Sequence, residues 1–187
     1  MTATGTPPTP PGAAEPSLAA LREELGVLRR RVEASEAVLA IMELKARYGD
    51  LVDARFRHGT PLDADALGAV AEEIAGLFTE DAEWDGGPAL GVAVGRAAIA
   101  ARMREPTISF SRHLFVRPRI TVEGERASGR WDLLAPCTRP DGSAYWMCGV
   151  EDDEYARDGA GRWLHRRMTL STVFMAPAGA GFGRIGL

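Results

Sequence analysis

The stretch "ISFSRHLFVRPRITVEG" (residues 108–124) is the first of four β-rich runs in the C-terminal half of the chain. It is rich in β-branched and aromatic residues and ends on a glycine, as a strand before a tight turn does. The other runs are "RASGRWDLLAPCTR" (126–139), "SAYWMCGVEDDEYAR" (143–157) and "RWLHRRMTLSTVFMAP" (162–177). Gly124, "PDG" (140–142) and "DGAG" (158–161) separate the runs as hairpin turns. The order predicts a meander of antiparallel strands.

Helical patterns precede these strands. "AIMELKARYGDLVD" (40–53) has a broad apolar arc at helical spacing, and we expect its helix to close near His58 and Gly59. "DADALGAVAEEIAGLF" (63–78) predicts a second helix, and "GVAVGRAAIAARMRE" (91–105) a strand edge, a glycine turn and a short helix. The apolar face of this second predicted helix consists of Leu67, Val70, Ile74, Leu77 and Phe78. Helices first and strands afterwards predict an α+β fold, a curved mixed or antiparallel sheet wrapped on N-terminal helices with a conical cavity.

The N-terminal region contains two further segments. Residues 1–17 are rich in Pro, Thr, Gly and Ala, so we predict a disordered tail. An extension helix follows at 18–35, with Ser17 as its N-cap and a short leucine seam at steps of three and four (Leu18, Leu21, Leu25, Leu28, Val32). Such a seam is too short for an independent coiled coil, so it docks on the domain or on another subunit, and we favour the subunit contact. The domain itself spans 36–178, and 179–187 form a C-terminal tail.

Composition excludes several classes of protein. The chain has 187 residues, 45% of them hydrophobic, and a net charge of −4 with acids and bases interleaved, which does not resemble a nucleic-acid footprint. Cys137 and Cys148 lack C-x-x-C spacing, so we read them as free thiols in a reducing compartment and predict no metal site. No stretch approaches 18 apolar residues, and no nucleotide fingerprint is present. We therefore predict a soluble, cytoplasmic protein without a cofactor or membrane partner.

Asp53 is the unusual residue of the first domain helix. It falls at the edge of the apolar arc, where a partly desolvated carboxylate needs a partner, and a cleft histidine is the candidate. Lys45 is the one charged residue within the arc itself. A solvated or capping aspartate is the structural alternative.

The segments taken together resemble the SnoaL-like branch of the nuclear-transport-factor-2-like superfamily over residues 36–178. The resemblance rests on the order and spacing of "AIMELKARYGDLVD", "LFTEDAEWDGG", "GRAAI", "RHLFVRPRITVEGERASGRWDLL" and "STVFMAPAG". It implies a cone with a deep pocket, and among known enzymes it is nearest to the bile acid 7α-dehydratase, hexachlorocyclohexane dehydrochlorinase and scytalone dehydratase types. Their His–Asp pair corresponds here to His113 and Asp53, and the pocket tyrosine of the bile acid enzyme corresponds to Tyr48.

Three further residues are candidates for binding substrate. Trp84 and Trp146 are candidates for the pocket wall, and Arg167 for a pocket arginine if the alignment shifts by one residue. The alternative for both tryptophans is core or sheet packing. The other histidines are weaker candidates for a base, because His58 lies at a predicted helix end and His165 lies among three arginines. "DDE" (152–154) reads as a charged hairpin edge rather than a metal site.

These residues suit elimination chemistry. A histidine can remove a carbon-bound proton near neutral pH, and a carboxylate on its other nitrogen fixes the tautomer. We therefore expect a cofactor-independent lyase of the dehydratase type acting on an apolar polycyclic or polyketide-like molecule. An isomerase or cyclase, and a non-catalytic ligand-binding or association domain, are the alternatives. The eliminating relatives imply a homotrimer, with a dimer as the other option.

Overall fold

The computed structural model describes residues 17–178, and the chain divides into two compact units after Ser35. The predicted tails at 1–17 and 179–187 lie outside the described residues, apart from Ser17. Helix α1 (Leu18–Asp53) is continuous over 36 residues, so the two helices predicted on either side of residue 35 are one element. The hydroxyl of Ser17 accepts a hydrogen bond from the Ala20 N–H at 3.2 Å, which confirms the N-cap.

The leucine seam of the first unit is open to solvent in the single chain. Its five side chains, Leu18, Leu21, Leu25, Leu28 and Val32, are each between 45% and 64% exposed.

Helix α1 ends five residues earlier than the sequence predicts. Phe56–Arg57 (β1) and Thr60–Pro61 (β2) instead form a two-stranded hairpin. Its turn residues His58 and Gly59 have φ of 52° and 75°, the left-handed conformations that a tight hairpin turn requires. His58 therefore lies in a turn and not at a helix C-terminus.

The second predicted helix is also too long. Helix α2 (Ala64–Ala75) starts at its N-cap Asp63, whose carboxylate accepts from the Ala66 N–H, and it stops before Leu77. Phe78, assigned to the helix face by its spacing, instead begins a strand and is fully buried. Helix α3 (Arg96–Met103) follows Gly95, as predicted.

The strands form one mixed sheet. They are β3 (Phe78–Asp85), β4 (Val92–Val94), β5 (Phe110–Ser111), β6 (Leu114–Glu123), β7 (Arg126–Thr138), β8 (Ala144–Arg157) and β9 (Trp163–Pro177). Their order is β4–β3–β9–β8–β7–β5, with β6 also paired to β7, and β3–β9 is a parallel pair in an otherwise antiparallel sheet. Gly124, Gly142 and Gly161 have positive φ at the three predicted turns.

The sheet curves around the helices of the second unit, and this α+β class is the one that the sequence predicts. Irregularities in the register of β6, β8 and β9 bend the long strands. The main core joins α1, α2 and α3 to the inner face of β3, β7, β8 and β9 through Ile41, Ile74, Ile99, Trp131 and Met168. In the part of the chain that the structure describes, no helix has the length and apolarity needed to cross a membrane.

Candidate active site

A cavity of about 280 Å³ lies inside the second unit, between the end of α1 and the inner face of the sheet. Much of its wall is apolar, with Val52, Leu133, Met147, Met168 and Leu170 among the lining residues. Polar groups also reach the wall: Tyr48, Trp84, Arg55, His113 and Glu151. An apolar cavity with a few polar groups is typical of a small-molecule site, and its volume lies at the small end of such sites.

The structure brings Asp53 and His113 together on this wall. His113 lies in the short link between β5 and β6, and its Nδ1 is 2.6 Å from Oδ1 of Asp53. The backbone N–H of His113 and the hydroxyl of Ser111 also donate to the same carboxylate, at 2.8 and 3.0 Å. Both side chains are shielded, with 12% of His113 and 7% of Asp53 exposed. Three donors therefore hold the carboxylate in one orientation.

This geometry assigns the tautomer of His113. An ionised carboxylate can only accept hydrogen bonds, so Nδ1 carries the proton in the pair with Asp53. The basic lone pair then lies on Nε2, the other ring nitrogen. The imidazole stacks against the ring of Phe115, with centroids 5.9 Å apart, which limits its rotation.

Tyr48 lies one and a half turns before Asp53 on α1 and is 4% exposed. Trp84 donates its indole N–H to the Tyr48 oxygen at 3.0 Å, so the phenolic proton is available to a ligand. Burial, with the nearby charge of Glu151, raises the pKa of Tyr48 far above its ordinary value. Tyr48 is therefore a neutral hydrogen-bond donor, and Trp84 lines the cavity beside it.

Two of the predicted binding residues point away from the cavity. Tyr145 and Met147 line it, so Trp146 between them faces the other side of β8, where 37% of it is exposed. Met168 lines the cavity, so its neighbour Arg167 faces outward and pairs with Glu83 at 2.9 Å. The alternation of side chains along a strand thus removes Trp146 and Arg167 from the wall.

A buried ionic cluster, which the sequence did not predict, lies behind the wall. Lys45 is fully buried and contacts the carboxylates of Glu151 and Asp153, the latter at 2.7 Å. Tyr155 donates to Asp153 at 2.7 Å, and Trp131 donates to Tyr155 at 2.9 Å. Burial opposes the charge on Lys45, but the two carboxylates outweigh it and raise the pKa of the ammonium. Lys45 is thereby held as a cation beside Glu151, which lines the cavity.

Burial also shifts the pKa values of Asp153 and His165. Desolvation raises the pKa of Asp153 to about 6, although Lys45 acts in the opposite direction. His165 is fully buried, and desolvation together with the charge of Lys45 lowers its pKa well below the ordinary value. Neither ring nitrogen of His165 has a hydrogen-bond partner within residues 17–178. His165 is thus a neutral core residue and not a second base.

The position of Lys45 in the sequence could have revealed this cluster. A lysine within an apolar helical arc needs a buried counter-ion. The "DDE" run supplies it in part: Asp153 turns inward to Lys45, while Asp152 and Glu154 face outward and pair with Arg130 and Arg166. The run is therefore more than the charged hairpin edge that the sequence predicts.

Comparisons with known proteins agree with this architecture. The fold is that of the nuclear-transport-factor-2-like superfamily. Within it, the chain belongs to the SnoaL-like family, since the family's SnoaL-like domain matches residues 33–169. A search of curated proteins found no match.

Three solved structures illustrate the range of similar proteins. A candidate scytalone dehydratase from Novosphingobium aromaticivorans is 22% identical with a TM-score of 0.61, over 81% of this chain and 94% of that one. The type 3 hexachlorocyclohexane dehydrochlorinase of Novosphingobium barchaimii is 21% identical with a TM-score of 0.62, over 79% and 94%. A candidate aromatic ring hydroxylase from N. aromaticivorans is 26% identical with a TM-score of 0.59, over 75% and 92%. The names differ in chemistry, so the fold does not select a reaction.

Proposed function

We propose that this protein is a cofactor-independent lyase that eliminates water or another leaving group from a compact, largely apolar molecule. The observation that supports the proposal is the 2.6 Å contact between His113 Nδ1 and Asp53 on the wall of an apolar cavity. This contact leaves Nε2 of His113 free to act as a base, and the side chains of His113 and Asp53 are both largely shielded from solvent. The eliminating enzymes among the similar structures favour the same reaction class.

In the proposed reaction, Nε2 of His113 removes a proton from a carbon atom next to an activating group. The electron pair of that C–H bond forms a double bond, directly or through an enolate, while the leaving group departs with its own bonding pair. Asp53 stabilises the imidazolium that forms. When the leaving group is hydroxide, the imidazolium proton is available to convert it to water and restores the neutral base.

Tyr48 is the electrophilic partner in this scheme. Its hydroxyl accepts from Trp84 and so can direct its own proton to an enolate oxygen or to a departing hydroxyl. A positioned donor of this kind contributes roughly 3 to 4 kcal/mol to transition-state stabilisation in other enzymes.

The test is a panel of cyclic ketones and ring alcohols with a β-hydroxyl or β-halide, with product mass as the readout. We expect loss of water or of hydrogen halide in the wild type, and its abolition in His113→Ala. In Asp53→Asn we expect a drop of roughly 10⁴-fold, by analogy with the loss of a tautomer-fixing carboxylate elsewhere. Asp50→Asn and His58→Ala are the matched controls, because both side chains are exposed on the same part of the chain.

The other outcomes discriminate among the alternatives. A product of unchanged mass identifies an isomerase or cyclase that uses the same base. Turnover that persists in both His113→Ala and Asp53→Asn, with folding confirmed by circular dichroism, excludes the proposed mechanism. Ligand binding without turnover by the wild type identifies a binding domain.

A further inference from the structure

Arg55 is a buried cation on the cavity wall that the proposed mechanism does not use. It follows Asp53 by two residues, is 8% exposed and lines the cavity together with Tyr48 and His113. Within residues 17–178, no carboxylate lies within ion-pair distance of its guanidinium. Buried arginines are rare without such a partner, because desolvating the charge is costly.

Two helix ends hold Arg55 in place. Its Nε donates to the carbonyl of Val52 at 2.9 Å, in the last turn of α1, and Nη1 donates to the carbonyl of Met103 at 3.4 Å, at the end of α3. Unpaired carbonyls at helix C-termini carry partial negative charge, so they orient and partly stabilise the cation. They do not neutralise a full charge.

The guanidinium retains unused donors. Of its five N–H groups, those on Nη2 have no hydrogen-bond partner in the part of the chain that the structure describes. Desolvation lowers the pKa of Arg55, and the charge of Arg102 acts in the same direction, while Tyr48 and Asp53 oppose them. An arginine nevertheless stays protonated in proteins, so the cavity contains a fixed positive charge with donors to spare.

Neither acidic group on the same wall forms an ion pair with Arg55. Glu151 is paired with Lys45, and Oδ1 of Asp85 accepts the backbone N–H of Gly87 at 2.8 Å. Arg55 therefore lacks an ion-pair partner among residues 17–178, and a ligand in the cavity could supply one.

We propose that Arg55 binds a carboxylate of the ligand, so that the substrate is the anion of an apolar acid. The proposal rests on the proposed function in naming the substrate of that same cavity, and it adds the chemical group that is recognised. The carboxylate is a binding group separate from the carbon that His113 deprotonates. The planar guanidinium suits it, because carboxylate oxygens accept its N–H groups in charge-assisted hydrogen bonds.

The test uses two probes of the same shape, 2-naphthoate and 2-naphthamide, titrated into the full chain by calorimetry at pH 8. We expect naphthoate to bind at least about tenfold more tightly than naphthamide. A tenfold ratio corresponds to the free energy of one charge-assisted hydrogen bond. Arg55→Met should remove this preference, with the affinity for naphthamide changed less than about twofold. Arg104→Met is the matched control, because that arginine is exposed and pairs with Glu72.

Several outcomes would overturn the proposal. These are equal affinity for the two probes in the wild type, no naphthoate binding at millimolar concentration, or a preference that survives in Arg55→Met. Arg102 and Arg139 also line the cavity. A preference lost in Arg102→Met or Arg139→Met but kept in Arg55→Met would assign the anion to one of these two arginines. Should Arg55→Met fail to fold, Arg55→Lys keeps the charge without the planar fork, and a weakened preference is expected there.

The two proposals fail independently. The naphthoate preference is measured by binding, and it should persist in His113→Ala, which lacks the proposed base. A preserved preference without any turnover would reject the lyase and keep the anion site. Turnover without a preference for naphthoate would reject the anion site and keep the lyase.

Discussion

Lys45→Met removes the ammonium from a site that buries two carboxylates. Lys45 is fully buried, and the side chains of Glu151 and Asp153 are only 5% and 0% exposed, so bulk solvent has little access to either carboxylate. Removing one partner of a buried ion pair typically costs 3 to 5 kcal/mol, because the remaining charge stays unpaired. Methionine preserves the length and apolar volume of the lysine stem, so the loss of packing is small. We expect the free energy of unfolding to fall by about 3 to 5 kcal/mol at pH 8.

The loss of stability in Lys45→Met should be larger at high pH than at low pH. Without Lys45 the folded carboxyls have pKa values above their unfolded ones, so the penalty is full at high pH and shrinks as protons bind at lower pH. Protonating a carboxyl of ordinary pKa near 4 costs about 5 kcal/mol at pH 8 but only about 1.4 kcal/mol at pH 5. The gap between variant and wild type should therefore narrow by several kcal/mol between these pH values.

Urea unfolding followed by circular dichroism at pH 8 and pH 5 measures both quantities. Arg130→Met is the matched control, since its pair with Asp152 lies on β7 and β8 but is about half exposed and should contribute less than about 1 kcal/mol. A loss below about 1 kcal/mol for Lys45→Met at pH 8, or a gap that is the same at pH 5, would refute the account of a buried charge cluster.

Further predictions concern the neighbours of this cluster and the first unit. Because burial raises the folded pKa of Asp153 to about 6, its contribution to stability falls as pH rises from about 4 to 6, so the stability of Asp153→Asn relative to the wild type should rise over that range in urea titrations. His165 acts in the opposite direction: because burial lowers its folded pKa, the wild type loses stability as pH falls from 7 to 5, and His165→Leu should abolish this loss in the same assay. A Cβ on Gly129 would lie 2.9 Å from the ring of Tyr155, so Gly129→Ala should lower the thermal midpoint with a cost of about 1 to 3 kcal/mol. Deleting residues 1–34 should dissociate the predicted trimer in light scattering, because the leucine seam is exposed in the single chain, and an unchanged mass would exclude the seam as the subunit contact.

Local patterns determined the elements of the fold. Strand runs, turn glycines and the helical arc were readable because they depend on neighbours a few residues apart. The positive φ angles of Gly124, Gly142 and Gly161 lie where the turns were predicted. The errors occurred at element ends: α1 stops at Asp53 and α2 at Ala75, since helix ends depend on competing hairpin and strand contacts.

Within the candidate site, the sequence by itself selected Asp53, His113, Tyr48 and Trp84, through residue type and family resemblance. Only the tertiary structure determined which face of each strand lines the cavity. Arg167 and Trp146 lie on the opposite faces of their strands. The tertiary structure also joined Lys45 to carboxylates more than a hundred residues away and left Arg55 without one. The physical reason is that residue type and spacing are local, whereas burial and charge pairing depend on which distant segments the sheet brings together.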